Sequence, residues 1–255
     1  MNAATNAPRS ESITTSALPT WVLPALVVSG VVAGFAGEAL ISRYHQFFFT
    51  PEPGMPPHPA AYLAQARWDN IRNHAIGFGG LGAILMGLIG LVIGLSRSSR
   101  RAMTGVFAGV LVGGMLGAVM GSIGYLTTVR LISEPHMEGM LKAIVIFAPL
   151  WLVFCVAAGV FGAVLAGNSS RIGRAAYLGV GWAFGAIMLY LLVTIVVFPV
   201  GRPEAIVPEH TGVRLSAYVV GCICVALAAG AVAIRSPFKR GRSQTELEKS
   251  KAPIS

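Results

Sequence analysis

Glutamate and histidine cluster twice in a chain that otherwise carries few charges. ISEPHMEGML, residues 132–141, holds Glu134, His136 and Glu138, and VPEHTGV, residues 207–213, holds Glu209 and His210. Three further histidines, His45, His58 and His74, lie in or beside the segment 42–74. Imidazole together with carboxylate suits a divalent transition metal such as zinc, or a proton sensor working near neutral pH. No segment pairs two histidines at helical ligand spacing, so coordination would need convergence in the fold, and a metal is left open. The alternative is a solvated, water-facing rim.

Glu38 is of a different kind. It is the one acid inside a long apolar run, just after SGVVAGFAG. An ionised carboxylate in hydrocarbon is costly, so it must face the protein interior, meet a cation, hold a proton or reach the headgroups. The expected cations are Arg72, Lys142 and Arg214, which open the segments returning into the membrane. No HExxH, GxSxG or P-loop pattern occurs, so no enzyme chemistry and no cofactor is expected.

The elements that must position these groups are apolar. Of 255 residues, 55% are hydrophobic and only 11% charged, less than half the roughly 25% usual in soluble domains. Runs long enough to cross hydrocarbon, roughly 20 residues each, occur at Trp21–Ile41, Ala75–Leu95, Met103–Leu126, Ala143–Gly167, Ala175–Phe198 and Leu215–Ile234. None shows strand alternation, and lipid cannot satisfy an open backbone. The expected fold is therefore all-α, a polytopic bundle of six transmembrane helices. The first run is read as retained, with cleavage near AGFAGEA as the alternative. Cys155, Cys222 and Cys224 all fall inside runs and read as small core residues.

Lysine and arginine set the expected orientation. Six spans place both termini on one side. That side has Arg9, Arg97, Arg100, Arg101, Arg171, Arg174 and six more cations from Arg235 onward, against seven on the other. Both termini are thus expected in the cytoplasm, with a bacterial-type inner or plasma membrane as the setting. All five histidines then fall outside. The net charge of +9 is a consequence of this asymmetry and does not indicate nucleic-acid binding. The basic tail after residue 235 is expected to meet anionic lipid.

The most regular motif is Gly105, Gly109, Gly113, Gly117 and Gly121, five glycines at steps of four. They share one helix face and form a groove free of side chains, where another backbone can approach closely. The partner is expected to be a helix of the same chain, a second copy, or a surface that slides during gating. Shorter pairs, such as Gly30 with Gly34 and Gly181 with Gly185, occur in other spans. SSRRAMTGVFAGVLVGGM (98–115) and SSRIGRAAYLGVGWAFGAIM (169–188) also align, with Arg101 and Arg174 lying 73 positions apart. Spans three and four would then copy five and six, with one and two a more diverged unit.

Residues 1–19 and 236–255 read as polar tails flanking a membrane domain over 20–235. The outer loop is set at 42–74. Its prolines between Pro51 and Pro59 exclude a continuous helix there. AAYLAQARWDNIRNH then reads as a short amphipathic helical pattern leading into the second span, with Trp68 at headgroup level. The expected function is a small-solute or ion transporter, or channel-like protein, with an acid- and histidine-bearing mouth. The alternative is a non-catalytic subunit that scaffolds a larger complex. Lipid is the expected partner, with a second copy or a complex partner as further possibilities.

Overall fold

A computed structural model describes residues 19–44, 47–48, 59–132, 134, 136–197, 207–208 and 210–234. They form six α-helices: α1 (Val22–Tyr44), α2 (Pro59–Leu95), α3 (Ser99–Ile132), α4 (Gly139–Leu165), α5 (Ile172–Val197) and α6 (Thr211–Ile234), with a 3-10 turn at Ser169–Arg171. No strand occurs among the described residues. Each helix is long and apolar enough to cross a membrane. The chain is an all-helical bundle compatible with an integral membrane protein, and its helices imply contact with lipid.

Two boundaries differ from the sequence reading. The amphipathic pattern and the second span form one helix, because α2 runs unbroken from Pro59 for 37 residues. Proline at the first helical position suits this, since its missing N–H would be unpaired there anyway. The 42–74 segment is therefore loop only in part, as α1 also continues to Tyr44. Pro24 lies in the first turn of α1, whereas Pro149 sits inside α4.

Even- and odd-numbered helices play different parts. α2, α4 and α6 pack on one another, and each odd helix lies against two even ones: α1 on α6 and α2, α3 on α2 and α4, α5 on α4 and α5's successor α6. Burial follows the same division. Within the most apolar window of each helix, 61%, 44% and 56% of residues are buried in α2, α4 and α6, against 39%, 28% and 33% in α1, α3 and α5. The three odd helices thus surround a central triangle of even ones. Ala102 and Ala175, which follow the aligned arginines, each meet a glycine of the preceding even helix, Gly94 and Gly159.

Large side chains fill the centre. Phe78, Phe147, Trp151, Phe154, Tyr190 and Tyr218 are all fully buried. Phe78 meets Tyr218 edge to face at 5.7 Å between ring centroids, and Phe147 meets Tyr190 at 5.0 Å. Gly221 makes room for Trp151, because a Cβ there would fall inside the indole contact. Aromatic pairs of this kind add about 0.5–1.5 kcal/mol beyond their burial.

Short turns join the helices at the end where the chain enters α1, here called the proximal end. Ser98 caps α3, its hydroxyl accepting the Arg101 N–H at 3.2 Å. α4 closes on Gly167, with φ of +75°, in the left-handed region where a Cβ is disfavoured. Gly167 N–H then bonds Val164 O, and Asn168 N–H bonds Ala163 O, which satisfies carbonyls left open at the helix end.

Candidate functional site

The five glycines of α3 are all buried, and all face α2. Gly105 lies against Gly90, Gly109 against Met86, Gly113 against Gly82, Gly117 against Phe78 and Gly121 against His74. Both helices therefore step by four along one antiparallel seam. A Cβ on any of the five would fall into the α2 backbone or the foot of a side chain. This is the most extensive helix contact in the bundle. In lipid, dispersion between closely approached backbones holds such a pair, since hydrophobic burial contributes little there. The opposite face of α3, with Phe107, Leu111 and Met115, is exposed.

A second glycine seam builds the polar site. Gly30 lies against the backbone of Cys222 and Ile223, and Gly34 against Val219. Four residues further along the same face of α1 comes Glu38, and four beyond that Ser42. The antiparallel register brings Arg214 of α6 to the same level. Its Nη2 donates to Glu38 Oε1 at 2.7 Å and its Nε donates at 3.1 Å. Ser42 Oγ donates to Glu38 Oε1 at 2.5 Å and accepts from Arg214 Nη2 at 2.9 Å. Arg214 Nη1 donates to the Pro208 carbonyl at 3.0 Å, which ties the segment before α6 into the cluster. The Arg214 and Glu38 side chains are 13% and 17% exposed, so each charge is largely shielded and needs the other.

The three expected cations thus have different fates. Arg214 takes Glu38. Arg72 lies instead 3.8 Å from Asp69 on its own helix and 5.5 Å from the Phe48 ring centroid. Lys142 sits in the first turn of α4, half-buried, its backbone N–H bonded to Glu138 O. Ser42 was not singled out from the sequence. The signal was present in the spacing of Gly30, Gly34, Glu38 and Ser42, which marks one helix face.

The histidines divide likewise. His45, His58 and Glu209 lie outside the described residues. His74 is half-buried within α2: its Nδ1 is 2.8 Å from Asn70 O, and its ring stacks 4.7 Å from Tyr125. His136, Glu134 and Glu138 are exposed on the turn between α3 and α4, and His210 is exposed just before α6. Among the described residues, no group of three or more His, Cys, Asp or Glu side chains is placed to hold a metal ion. Cys155, Cys222 and Cys224 are free thiols and buried.

Another contact was not legible in the sequence. Asn73 of α2 is 2% exposed and holds the backbone of Phe48 with both ends of its amide. Phe48 N–H donates to Asn73 Oδ1 at 2.7 Å, and Asn73 Nδ2 donates to Phe48 O at 2.8 Å. Asn73, Arg72 and the Phe48 ring together anchor the chain after α1 onto α2.

Fold and site define a class, a six-helix membrane protein with a shielded Glu–Arg pair near one end of the bundle. No protein-family model, no curated protein and no solved structure matches the chain.

Proposed function

We propose that the protein moves a small solute or ion across a bacterial-type inner or plasma membrane, with Glu38, Ser42 and Arg214 as a polar latch at its outer mouth. The observation that carries this reading is the pair itself. An ion pair within a membrane-spanning bundle is expensive, and facing ionisable groups there generally mark a solute or proton path. Gly30 and Gly34 already give α1 and α6 a close apolar seam, so packing alone does not call for the charges. Release of Arg214 would free the Pro208 segment and both helix ends in one step. No enzymatic role is proposed.

Reconstitution tests it. Purified protein in proteoliposomes is assayed for flux of monovalent and divalent cations, halide and small organic acids. Flux that falls at least tenfold in both Glu38→Gln and Arg214→Ala supports the latch. Unchanged flux in both variants, with intact folding, rejects it.

The orientation with both termini in the cytoplasm follows from the distribution of lysine and arginine. His136→Cys and His210→Cys report on it, since the three native cysteines are buried. Impermeant maleimide should tag both variants in intact cells. A second reading, a non-catalytic scaffold subunit, is favoured by the aromatic side chains that fill the centre. It predicts copurification of a partner in mild detergent and no flux from the protein alone.

A further inference from the structure

At the end of the bundle opposite the proximal turns, a cleft of about 1040 Å³ opens between α2, α3 and the start of α4. It is at the upper end of the range for small-molecule sites, roughly 300–1,000 Å³. Two cations reach it from different helices, Arg67 of α2 and Arg130 in the last turn of α3. Glu134 and His136 line it from the turn. With the imidazole neutral, two guanidiniums and one carboxylate leave the lining at a net +1. The remaining wall is apolar and includes Leu126, Leu131 and Leu141.

Its depth follows from helix length. At about 1.5 Å per residue, the 37 residues of α2 reach roughly 55 Å, more than the roughly 40–45 Å of a bilayer with its headgroups. The end bearing Arg67 therefore stands at or above headgroup level. Trp68 beside it is 59% exposed, and tryptophan favours the interface. A cationic rim over an apolar wall at that level matches an amphiphile better than a free solute.

We propose that this cleft binds the headgroup of an anionic phospholipid. The phosphodiester would lie between Arg67 and Arg130, where guanidinium geometry suits phosphate oxygens. The glycerol and upper acyl carbons would rest on the leucines. One phosphodiester charge balances the net +1, whereas a zwitterionic lipid adds an ammonium beside the two arginines. This inference is independent of the transport reading.

Native mass spectrometry of the full-length protein in mild detergent tests it, using phosphatidylglycerol and phosphatidylcholine with identical chains. Phosphatidylglycerol is expected to bind about tenfold more tightly, since basic side chains near a lipid surface favour an anionic headgroup. Arg67→Gln with Arg130→Gln should abolish that preference, and Arg67→Lys with Arg130→Lys should retain most of it. Equal affinity for the two lipids overturns the proposal, as does a preference that survives the glutamine pair. Displacement of phosphatidylglycerol by inorganic phosphate, with no dependence on acyl chain length, would assign the cleft to a free anion and overturn the lipid. If the glutamine pair does not remain monodisperse, the two-lipid comparison on the unaltered chain decides.

Discussion

Arg214 grips a single oxygen of Glu38 with two of its N–H groups, at 2.7 and 3.1 Å, from a helix 176 positions away in the chain. The oxygen also accepts the Ser42 hydroxyl. Breaking one side of such a shielded pair strands the other charge, which typically costs about 3–5 kcal/mol. Glu38→Leu should therefore lower the thermal midpoint in detergent markedly. Glu38→Leu combined with Arg214→Leu should recover most of the loss, because no unpaired charge remains. A double variant as unstable as the sum of its parts would mean that the two side chains do not depend on each other.

The α2–α3 seam separates two kinds of glycine. Gly113→Ala pushes a methyl into Gly82, and overpacking of this kind costs about 1–3 kcal/mol. Gly181→Ala on α5 meets nothing within 4 Å. There the gain in helix propensity, up to about 1 kcal/mol, should leave stability unchanged or raised. Denaturation midpoints in sodium dodecyl sulfate titrations compare the two. Equal effects at both sites would contradict the close approach at Gly113.

Asn73→Ala removes two hydrogen bonds to Phe48, each worth about 0.5–1.5 kcal/mol net. The Phe48 amide should then exchange its hydrogen about tenfold faster or more, as read by hydrogen–deuterium exchange. Asn73→Asp should also be impaired, since a carboxylate cannot donate to the Phe48 carbonyl. Exchange at Phe48 that matches the unaltered chain would show that this tether is not formed.

The three cysteines should resist thiol reagents while the bundle is folded. Cys155 and Cys222 are fully buried and Cys224 is 5% exposed. Maleimide mass tagging is expected to add no label in mild detergent and three after denaturation. Rapid labelling of Cys155 in the folded protein would place α4 differently from the packing described above.

Residue type and spacing were enough for the parts of this fold that depend on local rules. Apolar runs of transmembrane length had to become helices, because a backbone in lipid must satisfy itself. Glycines at steps of four had to present one smooth face, and the position of Glu38 within a run made contact with lipid costly for its charge. Choosing between partners was another matter. Arg72, Lys142 and Arg214 are alike as isolated cations, and only the pairing of α1 with α6 puts Arg214 at the level of Glu38. The same holds for Asn73, an ordinary amide until the chain after α1 folds back onto it.

By itself, then, the sequence determined that six apolar runs are helical and which of their faces can approach closely. Those properties follow from hydrogen-bond satisfaction and helical periodicity within one segment. Tertiary structure decided that α2, α4 and α6 form the centre, that the α3 glycines spend their smooth face on α2, and that Arg214 takes Glu38. Such choices rest on contacts between segments far apart in the chain, where several arrangements satisfy the local rules and close packing selects one.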